Sequence, residues 1–193
     1  MPSRPNVIVI LSDSFRADFI GAYGNDWVKT PNLDELAGRS AVFTRAYAEF
    51  PITVPSRTAF VTGNYTFTNR PWIPLQPSDV SIAEIAAQNG YRTVAFSDSP
   101  FSPGANMNKG FVEFNWLPGG KVRPAIEPDS EPWPDEVEWV EGSTEEERDI
   151  YLRTARNRAY YMDKHGEYFP EYLVHQAAEW AQDAPKESVF LWV

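Results

Sequence analysis

The sequence predicts an α/β fold, with a mostly parallel (mixed) sheet flanked by helices. Three observations carry this expectation. Short apolar runs rich in β-branched and aromatic residues recur at VIVIL (7–11), YRTVAFS (91–97) and SVFLWV (188–193), the pattern of strands buried on both faces. Helical patterns alternate with them along the chain. The first two runs also finish in Ser-Asp-Ser, at Ser12-Asp13-Ser14 and Ser97-Asp98-Ser99. In open α/β sheets, ligands bind beyond the carboxyl ends of the strands. Right-handed crossovers would bring Asp13, Ser97 and Asp98 toward one edge.

The elements follow in order. In KTPNLDELAGRS, Thr30 can cap a helix, Pro31 fits its first turn, and Leu33, Leu36 and Ala37 form an apolar stripe. AVFTRAYAEF (41–50) has the look of another short strand. ITVPSRTAFVTGNYTF (52–67) reads as a turn, a helix and a Gly-Asn break, with Pro55 in the first helical turn and Thr53 at or just before the start. In VSIAEIAAQNGYRTVAFSDS, Ile82, Ile85 and Ala86 mark a helix that Asn89-Gly90 ends before the second strand. Between Glu127 and Asp149, 11 of 23 residues are acidic, with three Pro and two Trp. We expect an acidic, proline-rich surface excursion at about 121–145. Ser143-Thr144-Glu145-Glu146 is a capping box that should open a long helical region, broken near His165-Gly166 and at Pro170. The third strand closes the series. No internal repeat is present.

Composition narrows the function classes. At 193 residues, 42% of them hydrophobic, the chain is long enough for one domain with a real core. It has no Cys, which excludes disulfides, thiolate metal sites and cysteine-based catalysis. A net charge of -10 at pH 7 argues against a nucleic-acid partner, while a local positive site for a small anion remains compatible with it. The run Val7–Leu11 is too short for a signal-peptide core or a membrane span, so we expect a cytoplasmic protein without membrane contact. A nucleotide-binding domain would need a glycine-rich loop of one of the usual kinds, and none occurs.

Several residues are candidates for chemistry, each beside a plainer explanation. Asp13, just past the first strand, can ligate a hard cation or serve as a cap or turn residue. Thr53 can act as a nucleophile at a helix N-terminus, where free amides and the dipole favour an anion, or simply as an N-cap. Arg57, one helical turn later, can reach back to an oxyanion or form a surface ion pair. Arg16 and Asp18 read as local polar contacts. His165 and His175 read as packed or solvent-facing.

The order of motifs resembles the N-terminal domain of the sulfatase family, within the alkaline phosphatase superfamily. It runs from strand-Asp through Arg16-Ala-Asp18, Gly21-Ala-Tyr23-Gly24, Thr30-Pro-Asn-Leu-Asp-Glu-Leu36, Val42-Phe-Thr-Arg-Ala-Tyr47 and Pro55-Ser-Arg57 to Thr62-Gly-Asn-Tyr65. GYRTVAFSDS and FLWV also fit. Nearly the whole chain is covered, apart from the acidic stretch. The resemblance implies a metal ligand at Asp13, with Ser14 where the family commonly has a second Asp. It places the catalytic residue at Thr53 and the motif's arginine at Arg57. In that family a Cys or Ser at this position is oxidised to formylglycine; Thr implies an unmodified hydroxyl. Asp98 and Pro100 fall where a Lys and a His would face the sulfate. We carry Asp98 as a substrate-side position, and Thr53 beside Asp13 and Ser14 as a metal contact.

The resemblance further implies one divalent ion (Ca, Mg or Mn) and a small anionic ester as substrate, a sulfated carbohydrate or aryl ester. The family's Asp-Pro-His segment, its Asp-His metal pair and a basic residue near the leaving group would lie beyond residue 193. Residues 1–193 are therefore expected to be the N-terminal part of a catalytic domain, incomplete at the C-terminus. The implied function is a metal-dependent hydrolase of sulfate or related phosphate esters with a covalent intermediate on Thr53. Two alternatives stay open. One is a phosphodiesterase or phosphonate monoester hydrolase using the Thr. The other is an inactive, truncated anion-binding domain.

Overall fold

The structure is a computed structural model that describes residues 4–68, 70–99, 105–117, 144–184 and 186–193. Four strands, β1 (Val7–Val9), β2 (Arg92–Ser97), β3 (Glu113–Trp116) and β4 (Val189–Trp192), form one sheet in the order β1-β4-β2-β3. All three pairings are parallel. Among the described residues, five α-helices accompany them: α1 (Pro31–Gly38), α2 (Thr53–Thr62), α3 (Ile82–Gln88), α4 (Glu145–His165) and α5 (Phe169–Gln182). Among the described residues, no helix is long and apolar enough to cross a membrane.

Alternation along the two central strands builds the core. Val94 and Phe96 of β2 and Val189 and Leu191 of β4 share one face with Leu173 and Ala177 of α5. The other face of β4 carries Phe190, whose ring stacks on Phe111 at 6.1 Å, and Trp192, which packs on a second cluster of Val54, Val61, Leu75, Ala105 and Met107. The sheet therefore lies between α5 and the α2 side. Each fully buried aliphatic side chain contributes about 1.5–3 kcal/mol.

The residues just before β3 are tied to β2 by one side chain. The buried Thr93 hydroxyl donates to the Gly110 carbonyl at 2.8 Å and accepts the Val112 amide at 3.1 Å. Gly110 has φ +90°, and a Cβ there would sit 2.5 Å from the Glu84 backbone nitrogen. Only glycine fits this approach to α3. At the start of α3, Ser81 and Glu84 form a reciprocal capping box.

Several expectations need correction. β1 is not buried on both faces: Val7, Ile8 and Ile10 are 39%, 60% and 75% exposed. The physical reason is position, because β1 is an edge strand whose sole described neighbour is β4. Residues 41–50 form no strand; with no described strand beside them, their backbone finds no ladder. α1 starts at Pro31 as expected, but Leu33 and Leu36 remain exposed. The Thr30 side chain does not cap α1. It accepts the Gly21 amide at 2.9 Å and donates to Asp34 at 3.0 Å. In α3 the buried residue is Ala83, with Ile82 and Ile85 exposed. The helix break falls at Gly166 (φ +71°), while Pro170 opens α5. The expected excursion at about 121–145, up to residue 143, and Ser143 of the expected capping box lie outside the described residues.

Candidate active site

The sheet register sets up the site. Val9, Trp192 and Ala95 stand level across three parallel strands. Asp13, four residues past Val9, and Asp98, three past Ala95, thus leave the sheet at the same end. The Leu11 amide bonding the Val193 carbonyl at 2.8 Å holds the exit of β1 against that of β4. Ser14 adopts φ +59°, a left-handed conformation unusual for a non-glycine residue. The turn presents the Asp13 carboxylate outward, and the Ser14 hydroxyl donates to Asp13 Oδ1 at 3.1 Å.

α2 brings the second half. Thr53 is its first helical residue, after an extended Ile52 that offers no side-chain cap. The earliest helical bond is from the Ser56 amide to the Ile52 carbonyl at 2.9 Å. The Thr53 and Val54 amides therefore precede the helical ladder, and Pro55 has no N–H, so the positive end of α2 is set by two amides beside the Thr53 side chain. One turn on, Arg57 Nη2 donates to Asp13 Oδ2 at 3.3 Å, across 44 residues of sequence. The Arg57 side chain is 20% exposed and that of Asp13 is 68% exposed.

Two clefts meet at this ion pair. One, of about 510 Å³, is lined by Leu11–Ser14, Pro51–Thr53, Ser56, Arg57 and Phe60. The other, of about 470 Å³, shares Asp13 and Arg57 and adds Ser97, Asp98 and an apolar wall that includes Ile10, Phe169, Leu173 and Trp192. Burial pushes the Asp98 carboxyl up from its ordinary range. Its own backbone amide and the Arg57 charge oppose that shift, and the Asp13 charge adds to it.

All five residues singled out from the sequence line these clefts: Asp13, Ser14, Thr53 and Arg57 the first, Asp98 the second. Sequence reasoning passed over Ser12 and Ser56. Ser56 was findable, since a residue three positions after Thr53 shares its helix face. His165 stacks on Tyr172 with centroids 3.9 Å apart, and His175 Nδ1 lies 2.7 Å from Glu167. Neither histidine lines the two clefts. Arg16 and Asp18 pair locally at the surface, with Arg16 Nε donating at 2.9 Å.

Among the described residues, no group of three or more His, Asp or Glu side chains gathers to hold a metal. A hard divalent cation takes six or more oxygen donors. Asp13 with the Ser14 and Thr53 hydroxyls falls short of that, and one Asp13 oxygen is occupied by Arg57. The described residues do not make a metal site by themselves.

The Sulfatase family profile matches residues 5–193. The chain belongs to the sulfatase family. Sulfatase relatives include an ulvan-active sulfatase of Formosa agariphila, 36% identical over 95 residues that make up 48% of this chain and 19% of that protein. Arylsulfatase H of Canis lupus familiaris is 30% identical over 145 residues, 61% of this chain and 25% of that protein. The chain thus spans about a fifth to a quarter of the length of these curated sulfatases. Among solved structures, a phosphonate monoester hydrolase of Agrobacterium radiobacter superposes with a TM-score of 0.61 at 21% identity, over 98% of this chain and 40% of that one. At this identity the likeness establishes the fold alone, an α/β arrangement around a parallel sheet. Sulfatases generally use a divalent metal ion.

Proposed function

We propose that the whole protein hydrolyses sulfate esters or related phosphate esters, with the unmodified Thr53 hydroxyl as nucleophile. The observation that carries this is the meeting of Thr53, at the N-terminus of α2, with Arg57 and Asp13 in one cleft of about 510 Å³. Thr53 Oγ1 forms a bond to sulfur or phosphorus as the bond to the ester's bridging oxygen breaks. The hydroxyl proton passes to water or to the Asp13 carboxylate, which lines the same cleft as Thr53. Arg57 and the two amides ahead of the helical ladder offset charge on the non-bridging oxygens. The alcohol leaves with a proton. Water then attacks sulfur or phosphorus, releasing the anion and restoring Thr53. The net reaction consumes one ester and one water. The relatives include an ulvan-active sulfatase and an arylsulfatase, and we carry over a sulfated carbohydrate or an aryl ester as the substrate class.

Phosphodiester or phosphonate monoester hydrolysis is the second reading, and the Thr itself favours it. A formylglycine hydrate has a second hydroxyl through which a sulfated form can eliminate sulfate. An ester on Thr53 has none, so the second step needs direct attack by water, a step shared with phosphoryl chemistry.

The test is Thr53→Ala in the full-length protein, assayed on an aryl sulfate and a phosphodiester. We expect kcat/KM to fall by at least about a thousandfold with the far-UV circular dichroism unchanged. Full activity in the variant would remove the nucleophile assignment, and an oxidised Thr53 in peptide mass spectra would remove the chemistry. Wild-type protein that binds anions but turns over neither ester would make this an inactive anion-binding domain.

A further inference from the structure

Arg57 carries its guanidinium on a long stem with many rotamers, so its use in the cleft depends on what holds that stem. Val54, Arg57 and Val61 follow the i, i+3, i+7 spacing of one face of α2. Val54 and Val61 are buried in the cluster on which Trp192 packs. Trp192 is the last residue of β4, level with Val9 of β1 and Ala95 of β2. Arg57 and Trp192 line one small cavity of about 30 Å³, with Val61, Ala95, Met107 and Phe114 also in its wall. The same two residues line the cleft of about 470 Å³ that holds Asp13 and Asp98.

We propose that Trp192 is a positioning residue for Arg57. Its indole backs the arginine stem between α2 and the sheet, and so fixes where the guanidinium enters the cleft. The proposal rests on the cleft being an ester site and adds a residue outside the motif that carries Thr53 and Arg57. The cavity wall is mainly apolar, so it accommodates the methylene stem and leaves the charged head to the cleft. A smaller side chain at 192 would enlarge the cavity. The stem or the start of α2 would then settle inward, and the guanidinium would miss the non-bridging oxygens. A displacement of about 1 Å in a positioned group is enough to lower a rate by roughly a hundredfold. All of these residues belong to the described part of the chain, and the role asked of Trp192 is the same with a divalent ion bound.

The experiment uses the full-length protein supplied with its divalent ion. It measures kcat/KM on an aryl sulfate and a phosphodiester, and calorimetric Kd for inorganic sulfate and inorganic phosphate. Trp192→Leu is expected to lower kcat/KM at least about tenfold and to weaken the anion that wild type binds at least about fivefold, with the far-UV circular dichroism unchanged. Leu75→Ala opens the same buried cluster without touching the lining of either cleft, and should change each quantity by less than about twofold. Arg57→Lys combined with Trp192→Leu should lose no more than about threefold beyond Arg57→Lys alone, because both changes act through one side chain. Should Trp192→Leu not fold, Trp192→Phe is expected to lose at least about threefold in both measurements. Wild-type activity and affinity in the Trp192 variant, equal losses in Leu75→Ala, or losses that multiply in the double variant would each overturn the proposal. Weakened anion binding in the Trp192 variant, with no hydrolysis by wild type, would leave it standing and remove the hydrolase reading. Thr53-dependent hydrolysis indifferent to Trp192 would do the reverse.

Discussion

Arg57 joins residues that are far apart in sequence, and a second arginine does the same for the loop before α3. Arg70 holds Asp79 through two hydrogen bonds, one of 2.9 Å, while the Gln76 amide donates to the same carboxylate at 2.6 Å. Both side chains are largely buried, 14% and 16% exposed. The Arg70 hydrogen bond holds the Asp79 carboxyl below its ordinary 3.8, with the Gln76 amide and the charges of Arg70 and Lys109 assisting against burial. A folded-state pKa lowered in this way stabilises the protein above the unfolded value, and the contribution disappears as pH falls through the folded value. Asp79→Asn should therefore cost about 2 kcal/mol in urea unfolding at neutral pH, with the gap closing in acid as pH falls below the ordinary carboxylate range. An equal gap at both pH values would show that the loss is one of packing. At this scale the site was partly legible. Asp13, Thr53 and Arg57 could be singled out from strand-end and helix-start positions. The 3.3 Å contact between Asp13 and Arg57 spans 44 residues, and nothing local encodes it.

Among the elements, the two central strands and α5 carry the core. Leu173→Ala removes a side chain from the buried cluster that also holds Val94, Phe96 and Leu191 and should cost about 2–4 kcal/mol in chemical denaturation. Gly110→Ala meets two obstacles, a φ of +90° and a Glu84 backbone nitrogen 2.5 Å from the new Cβ. It should be at least as damaging, and a loss under about 1 kcal/mol would mean that the β3 connection yields easily. β2 and β4 were read correctly because continuous apolar runs suit strands with neighbours on both sides and helices or loops on both faces. The same pattern misled at β1, since a run of Val and Ile does not encode whether a strand is central or at an edge. β3 was missed although VEFNW alternates Val112, Phe114 and Trp116 with the polar Glu113 and Asn115, the period of a half-covered strand. The apolar stripes expected on α1 and α3 show the related limit, because periodicity marks a face without saying what lies against it.

For the molecule as a whole, the core is offset toward the later residues. Among the described residues, none from Arg4 to Thr53 is fully buried, and the exposed large side chains there include Ile8, Ile10, Phe43 and Tyr47. An uncovered edge strand beside exposed apolar groups invites association. The 193-residue protein should sediment as concentration-dependent oligomers at micromolar levels. Ile8→Lys, which adds a charge to β1 at a position 60% exposed, should shift it toward monomer without lowering stability by more than about 0.5 kcal/mol. A wild-type monomer at all concentrations would contradict this.

The place of β4 between β1 and β2 has a consequence for synthesis. Val7 pairs with Phe190 and Thr93 pairs with the same residue, so one late segment bridges two early ones. At roughly 5–20 residues per second, the ribosome takes about ten to forty seconds to travel from the first of these partners to the last. During that interval β1 has no ladder to join, and β2 has β3 alone. The four described strands therefore join only after β4 has been made, and the nascent chain should be held by chaperones until residues 189–192 have cleared the exit tunnel.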